Sequence, residues 1–248
     1  MHGLLSILPA SHFYALPIFS IPCRFNALIN WGIIEQATIS FSIRYFLMGV
    51  TGIEAEKEYA MNADKLVVGL AGMPGSGKSL VVEAARELGY AVVVMGDVVR
   101  EETAKRGLQL TPQNVGKVML QLRAESGNTV VAQKCIPKIE EQAGAKVLVD
   151  GLRSLYEVDA FKERFAKFTV IAVHASPEKR FNRLFSRRRS DDPHGWEVFR
   201  ERDMRELGVG LGNVIAMAEQ LIVNDNSVEE VKGAIKKALG RIEAKWKK

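Results

Sequence analysis

The glycine-rich segment at residues 72–79 constrains the fold of this chain more than any other feature. A glycine is followed there by four other residues and then by Gly-Lys-Ser, between a run typical of a strand and a pattern typical of a helix. In that context the glycines let successive backbone N–H groups point inward around an anion, and the helix adds the partial positive charge of its N-terminus. The segment therefore predicts a phosphate-binding loop for a nucleoside triphosphate. The residues of the loop are Gly72, Met73, Pro74, Gly75, Ser76, Gly77, Lys78 and Ser79.

Three side chains at this loop have predicted chemical roles. We expect Lys78 to contact the β- and γ-phosphates and to act in catalysis, and Ser79 to supply its hydroxyl to Mg²⁺. Asp150 ends an apolar run, so we expect it at the carboxyl edge of the sheet beside the loop, where it would join the Mg²⁺ site or cap the following turn. The chain has no Asn-Lys-x-Asp segment to select guanine, which favours ATP as the nucleotide.

From residue 63 onward the sequence alternates between strand-like and helical patterns. The strand-like runs are short, rich in β-branched residues and apolar on both faces, which is typical of a buried parallel sheet. The alternation predicts a three-layer α/β/α domain of the P-loop NTPase class, with five parallel strands, at residues 63–248. The strand-like runs lie at 65–71, 90–95, 146–150, 168–174 and 220–223. The helical patterns lie at 78–88, 97–106, 112–126, 129–143, 154–165, 177–188, 195–206 and 227–246.

The second and third strand-like runs are separated by about 50 residues. A plain crossover between parallel strands is shorter than this. We therefore expect a helical insert at 97–143, placed to bind a phosphoryl acceptor.

Residues 1–62 have a different character. They are apolar but interrupted by Pro9, Pro17 and Pro22, and they show no sustained period of a helix or strand. We expect either a poorly patterned, ill-ordered extension or translated upstream sequence ahead of a true start at Met61 or Met48, in which case the segment would not belong to the native mature protein. A membrane-associating leader is the alternative, although the prolines argue against a spanning helix and indicate no clear membrane association.

The charge of the chain lies with the phosphate-binding loop. The formal net charge is +5, and residues 1–62 contain three basic and four acidic residues, so residues 63–248 carry a net +6. A basic surface suits either a polyanionic small substrate or nucleic acid. The two cysteines, Cys23 and Cys135, have no metal-type spacing. We therefore expect neither a zinc site nor a disulfide framework, and we expect a cytoplasmic location.

The ends of two further strands supply candidate residues for an acceptor. Asp97 and Arg100 follow the second strand, and Arg153 follows the third. A phosphotransferase needs a carboxylate there to orient or deprotonate the attacking oxygen, and cations to neutralise an incoming phosphate. We expect Asp97, Arg100 and Arg153 to bind the acceptor, with Asp97 and Arg153 also acting in catalysis. The alternative is that Asp97 caps a helix and Arg100 pairs with a neighbouring acid.

An arginine-rich segment follows the fourth strand. Eight arginines and six acids lie between residues 180 and 206. Arg183 and Arg187 share one helical face at the i, i+4 spacing and are expected to act in catalysis. We expect Arg189 and Arg200 to bind substrate, a helix at 195–206 to return Arg200 and Arg202 toward the loop, and 186–196 to form a short lid. The arginines expected to be ordinary surface partners of nearby acids are Arg180, Arg188 and Arg205.

Several of these segments resemble known kinases. The segment Gly-Asp-Val-Val-Arg at 96–100 looks like Gly-Asp-Met-Leu-Arg of adenylate kinases, and Asp-Gly-Leu-Arg at 150–153 resembles their Asp-Gly-Phe-Pro-Arg without its proline. The resemblance implies that Arg100 and Arg153 bind the acceptor's phosphate. The half from His174 to Ser227 is similar to dephospho-CoA kinases, which implies that 224–227 borders the adenine. Taken whole, residues 65–240 most resemble an archaeal family of nucleotide-kinase-like P-loop proteins of uncharacterised activity.

The expected function is transfer of the γ-phosphate of Mg-ATP to a nucleotide or nucleotide-like acceptor, of the nucleoside monophosphate kinase or dephospho-CoA kinase type. One alternative is a P-loop ATPase or assembly factor on the same scaffold, acting with RNA. A nucleotide-dependent switch is a further alternative. RNA is not favoured as a partner, because the acids nearly balance the arginine-rich segment and its aromatic residues fall at core-like spacings.

Overall fold

A five-stranded parallel sheet organises the protein. In the computed structural model the described residues are 64–189 and 192–246, and the strand order is β2-β3-β1-β4-β5. Every predicted strand is present, with bounds within two residues of those expected. The strands are β1 (Leu66–Gly72), β2 (Ala91–Val94), β3 (Lys146–Leu152), β4 (Lys167–His174) and β5 (Gln220–Val223).

Nine helices are described around this sheet, and eight of them were predicted. The exception is a six-residue helix that begins directly after Gly210 and is too short to show a helical period. The helices are α1 (Lys78–Glu87), α2 (Met95–Lys105), α3 (Pro112–Ser126), α4 (Val130–Glu140), α5 (Leu155–Arg164), α6 (Pro177–Arg187), α7 (Trp196–Val209), α8 (Leu211–Ala216) and α9 (Val228–Trp246). Within the described ranges, no helix has the length and apolar character needed to cross a membrane.

The helices cover both faces of the sheet. Apolar side chains of α1 and α9 pack on one face, in a core that includes Val81 and Leu239. Side chains of α2, α3, α4, α5 and α8 form the core on the other face, where Phe161 is fully buried. Strand β1 lies at the centre and is buried along its whole length. This arrangement confirms the predicted three-layer α/β/α architecture.

The strand register brings the predicted site residues to one edge. In the pairing of β1 with β3, Leu70 lies opposite Asp150 and Ala71 lies opposite Leu152. Gly151 is the extra residue of this bulge and has φ +110°, a conformation that a side chain would disfavour. The last residue of β1, Gly72, pairs with Val173 of β4. The carboxyl ends of β1, β3 and β4 therefore meet where the glycine-rich loop begins.

Three helices fill the chain between β2 and β3, at the position of the predicted insert. The N-terminus of α3 is capped by Thr111, whose hydroxyl accepts from the Asn114 N–H. The C-terminus of α4 is capped by Lys65, whose ammonium donates to the carbonyls of Ile139, Glu140 and Gln142 at 2.7–3.0 Å. Lys65 lies next to β1, so the end of the insert is tied to the central strand.

Two predicted segments extend beyond the described residues. The N-terminal extension at 1–62 lies entirely outside them. The predicted lid at 186–196 includes Ser190 and Asp191, which also lie outside them. The assignment of these segments as an extension and a lid therefore remains a prediction.

Candidate functional site

The glycine-rich loop joins β1 to α1 in a conformation that requires its glycines. Gly75 and Gly77 have φ of +79° and +94°. A Cβ on Gly75 would lie 2.7 Å from the Arg180 carbonyl oxygen, so the space and the backbone both exclude a side chain. Gly77 is the N-cap of α1 and supplies no side-chain acceptor. The first N–H groups of α1 are therefore not capped by the residue that precedes them, as an anion-binding helix N-terminus requires.

Lys78 lies at the base of this loop. Its ammonium donates to the Gly72 carbonyl at 2.7 Å. Burial lowers the pKa of Lys78, while the carboxylate of Asp150 opposes that shift. The side chain is therefore held over the loop by an oxygen that a phosphate can replace.

Asp150 has an oxygen that the protein does not satisfy. Its Oδ1 is buried and has no hydrogen-bond partner among the described residues. Burial raises the pKa of the Asp150 carboxyl, and the Lys78 ammonium opposes this. An unpartnered carboxylate oxygen beside a phosphate loop fits a Mg²⁺ shell, because Mg²⁺ takes one or two protein oxygens together with phosphates and water. Ser79, the other predicted ligand, is exposed at the start of α1.

The described residues contain no group of three or more His, Cys, Asp and Glu side chains that could hold a metal ion.

A cavity of about 170 Å³ opens directly above the loop. It is smaller than the usual range for a whole ligand, about 300–1,000 Å³, and is of a size for phosphate groups. Four cationic side chains line it from four different elements or their ends, together with the carboxylate of Glu206. The cations are Lys78, Arg153, Arg187 and Arg202.

Arg153 is held from three sides. Its Nε donates to Glu206 at 3.1 Å, and its Nη1 lies 3.4 Å from the Gly151 carbonyl. Its backbone N–H donates to the Glu157 carboxylate at 2.7 Å. The same carboxylate accepts from the Ser154 N–H and closes the capping box of α5. The helix cap thus fixes the backbone from which Arg153 projects into the cavity.

Arg187 is held by a buried carboxylate. Its Nε and Nη2 donate to the two oxygens of Asp192 at 3.0 and 2.5 Å. The Asp192 side chain is only 3% exposed and also accepts from the backbone N–H of Arg189 at 2.8 Å. The hydrogen bond from Arg187 holds the pKa of Asp192 below its ordinary value. Arg187 therefore lines the cavity, whereas the Arg189 side chain is exposed and does not line it.

Arg183 contacts the loop at a different place. Its guanidinium donates to the carbonyl of Asn224 at 2.8 Å and lies 3.4 Å from the carbonyl of Gly75. It is not among the residues that line the cavity. Arg183 and Arg187, which share a helical face, thus meet the loop and the cavity respectively.

Asp97 and Arg100 lie in α2 and form an ion pair with each other. Both side chains are about half exposed, and neither lines the cavity. Asp97 lies close enough to Asp150 to raise its pKa. The two residues are therefore near the cavity but not in it, and their role with an acceptor remains a prediction.

The structure does not bring Arg200 to the cavity, contrary to expectation. Arg200 lines a separate shallow depression on α7 with Met204 and Arg205. Arg202 and Glu206, four residues apart, face the cavity instead. Two residues along a helix correspond to a rotation of about 200°, so Arg200 and Arg202 cannot share a face. Arg202 was expected to return toward the loop and lines the cavity, whereas Glu206 was not among the candidate residues. Its i, i+4 spacing from Arg202 was the available signal.

Arg180 is buried and is not the surface partner that was expected. Its side chain is 5% exposed and forms a forked pair with Asp203 at 2.8 and 2.5 Å. It also donates to the carbonyls of Ala175 and Pro74 at 3.1 and 3.2 Å. Because α6 packs against the loop, the inward side of its first turn faces loop backbone and not solvent. Arg180 therefore supports the loop from below.

Comparison with known structures agrees with this architecture. The protein TT1252 from Thermus thermophilus matches with a TM-score of 0.52 at 20% identity, over 71% of this chain and 97% of that one. A shikimate kinase from Bacteroides thetaiotaomicron matches with a TM-score of 0.51 at 14% identity, over 72% and 98%. At these identities the likeness shows the fold alone. It confirms the predicted nucleotide-kinase-like fold.

Sequence comparison identifies the family. The family model described as an AAA domain matches residues 71–200, just over half of the chain. A UPF0200 protein of Hyperthermus butylicus is 49% identical over 180 residues, which are 73% of this chain and 96% of the relative. A UPF0200 protein of Methanocaldococcus jannaschii is 50% identical over 167 residues, 66% and 84% respectively. These matches confirm the predicted likeness to an archaeal P-loop family. The chain belongs to the UPF0200 protein family, and its residues 71–200 match an AAA domain.

Proposed function

We propose that this protein is a phosphotransferase that moves the γ-phosphate of ATP to a nucleotide or nucleotide-like acceptor. One observation carries the proposal: Lys78, Arg153 and two further arginines line one phosphate-sized cavity above the loop. Transfer of a phosphoryl group is catalysed mainly by positioning and by stabilising its negative charge. Cations that converge on the γ-phosphate position are suited to that task.

The donor half rests on the loop and its neighbours. The loop residues 72–79 bind the triphosphate through backbone N–H groups, and Lys78 binds the β- and γ-phosphates. Asp150 and Ser79 would hold Mg²⁺, which neutralises phosphate charge when it is bound. The unpartnered Oδ1 of Asp150 supports this assignment.

The acceptor half rests on the ends of β2 and β3. Arg153 lines the cavity and would bind the acceptor's phosphate, exchanging Glu206 for a phosphate oxygen. Asp97 and Arg100 lie on the first turns of the insert and would orient the acceptor next to it. Their mutual ion pair must open for both side chains to contact a ligand. Helices α2, α3 and α4 would then form the wall of the acceptor site.

The transfer step follows from this arrangement. An acceptor oxygen attacks the γ-phosphorus, the bond from that phosphorus to the β–γ bridging oxygen breaks, and ADP leaves. A phosphate acceptor attacks as an anion, whereas a hydroxyl acceptor passes its proton to a carboxylate, for which Asp97 is the candidate. Arg187 and Arg202 stabilise the charge that spreads over the transferred group.

An acceptor screen tests the proposal. The full chain is incubated with Mg-ATP and, separately, with nucleoside monophosphates, dephospho-CoA and nucleosides, and both ADP and the phosphorylated acceptor are measured. We expect the wild type to phosphorylate one class of acceptor. We expect Lys78→Ala to phosphorylate no acceptor. The alternative hypothesis of an ATPase predicts that ATP is hydrolysed at the same rate whether or not an acceptor is present. A further reaction contains RNA in place of an acceptor. Hydrolysis of ATP without phosphorylation of any acceptor would overturn the proposed transfer.

A further inference from the structure

The turn between β5 and α9 contacts the phosphate loop through one buried side chain. Asn224 is 4% exposed, although it lies in a connection between elements. Its Nδ2 donates to the carbonyl of Ser76 at 2.7 Å. Its own backbone N–H donates to the carbonyl of His174 at 2.7 Å. The residue is therefore anchored on the end of β4 and reaches across to the middle of the loop.

The loop leaves room for this contact at Gly77. A Cβ built on Gly77 would lie 2.0 Å from the Asn224 Nδ2, closer than any real Cβ contact. The absence of a side chain at Gly77 thus serves two purposes. It permits the positive φ of the loop, and it lets the Asn224 amide approach the Ser76–Gly77 peptide.

Arg183 orients the Asn224 amide from the other side. Its Nη2 donates to the Asn224 backbone carbonyl at 2.8 Å and to the side-chain Oδ1 at 3.3 Å. A guanidinium only donates hydrogen bonds, so the side-chain oxygen must face Arg183 and the NH₂ group must face Ser76. The buried amide has a single satisfactory orientation.

The contact determines the direction of a backbone N–H group. In a trans peptide the C=O and N–H point in opposite directions. Since Asn224 holds the Ser76 carbonyl on the outer side of the loop, the N–H of Gly77 in the same peptide is directed to the opposite side. An anion nest depends on that orientation.

We propose that Asn224 is a positioning residue that holds the Ser76–Gly77 peptide in its phosphate-binding orientation. The residue acts through the loop and not through the base of the nucleotide. The inference rests on the proposed binding of a nucleoside triphosphate at this loop, but not on the transfer step or on the identity of an acceptor.

Binding of two probes tests the inference. Inorganic tripolyphosphate with Mg²⁺ contacts only the phosphate site, whereas Mg-ATP also contacts the protein through its base. Both dissociation constants are measured by calorimetry for the wild type, Asn224→Ala and Asn224→Asp. The aspartate keeps the acceptor for Arg183 and the volume, but it removes the donor to Ser76. Asn182→Ala is the matched control, because Asn182 is an exposed asparagine of α6 that does not line the cavity.

We expect both Asn224 variants to bind tripolyphosphate and ATP about 10-fold more weakly, by the same factor, since each leaves a buried carbonyl without its donor. The control should stay within about two-fold of the wild type. Weaker binding of ATP with unchanged tripolyphosphate binding would overturn the inference, because Asn224 would then serve the base. Unchanged binding of both probes would do the same.

Two further outcomes separate this inference from neighbouring ones. If both variants lose the cooperative thermal unfolding transition of the wild type, Asn224 supports the whole domain and the local role is wrong. If the wild type binds tripolyphosphate and the Asn224 variants bind it more weakly as expected, but the wild type phosphorylates no acceptor, only the proposed transfer fails. A wild type that binds neither probe contradicts the nucleotide site and the inference together.

Discussion

At the scale of residues, three of the four cations that line the cavity donate hydrogen bonds to oxygen atoms of the protein. Lys78 donates to the Gly72 carbonyl, and Arg153 donates to Glu206. Arg187 donates to both oxygens of Asp192. Phosphate oxygens offer the same kind of acceptor, so binding exchanges one charged hydrogen bond for another and does not desolvate a bare cation. The loss of binding free energy caused by removing each side chain therefore depends both on its charge and on its position in the cavity.

Replacing Lys78 with alanine should weaken ATP binding about 10- to 100-fold, the effect of losing hydrogen bonds from a charged group. Calorimetry with Mg-ATP measures this change. Lys236→Ala is the control, since Lys236 lies on α9 with an exposed side chain, and should bind ATP as the wild type does. Equal affinities for the wild type and Lys78→Ala would contradict the assignment of the donor site.

Replacing Arg153 with alanine should lower kcat/KM for the acceptor about 100-fold, because its guanidinium lines the cavity. The comparison is Arg200→Ala, which should change the same quantity less than about two-fold, because Arg200 lies in a separate depression. Steady-state kinetics with the acceptor found in the screen measure both. A larger effect at Arg200 than at Arg153 would restore the expectation drawn from the sequence and reject the cavity as the reaction site.

At the scale of elements, a buried ion pair connects the insert to the helix that follows β3. Arg123 of α3 donates to Glu157 of α5 at 2.7 Å, and their side chains are 10% and 1% exposed. The Arg123 Nη1 has no hydrogen-bond partner among the described residues. Glu157 is also the residue that accepts the Arg153 N–H. One carboxylate therefore holds both the wall of the proposed acceptor site and the backbone of a cavity arginine.

Arg123→Met should lower the free energy of unfolding by about 3–5 kcal/mol, because it leaves the Glu157 carboxylate buried without its charged partner. Adding Glu157→Gln should recover part of this loss, since glutamine is neutral and keeps an oxygen for the backbone N–H groups. Denaturant unfolding measures each variant. Lys138→Met, which breaks the exposed pair with Glu101, should cost no more than about 1 kcal/mol. If Arg123→Met and Lys138→Met lower the free energy of unfolding by equal amounts, burial does not determine the contribution of the Arg123 ion pair.

At the scale of the whole molecule, the ionisation of Cys135 links the stability of the core between the insert and the sheet to pH. The thiol is fully buried in α4 among apolar side chains. Burial, with a smaller effect of the Glu157 carboxylate, raises its pKa from 9.0 to about 12. A thiol whose pKa is raised in the folded state stabilises the fold fully below its unfolded pKa. That contribution is lost as the pH rises toward the folded value.

The free energy of unfolding of the wild type should therefore fall more steeply between pH 9 and pH 11 than that of Cys135→Val. The valine has no ionisable group, and every other titrating group is common to the two proteins. Denaturant titrations across that pH range measure the difference in slope. Parallel pH profiles would show that the Cys135 thiol does not ionise on unfolding in this range.

Much of the architecture could be predicted because it depends on local patterns. Strand β1 is a buried apolar run followed at once by the glycine-rich loop, and that order is read along a few consecutive residues. The strand bounds follow from β-branched runs, and the helix bounds follow from the helical patterns between those runs. The helix α8 could not be found in this way, because six residues do not define a period.

The sequence by itself predicted a phosphate-binding loop at residues 72–79 and determined a parallel α/β sheet around it, since the loop and the alternation are local. Only the tertiary structure decided which other side chains reach that loop. The Asn224 amide and the Ser76 carbonyl are 148 residues apart, and Arg153 and Glu206 are 53 apart. The choice of Arg202 over Arg200, and the burial of Arg180, depend on the face that each helix turns toward the loop. That face is set by the packing of α6 and α7 and not by the composition of either helix.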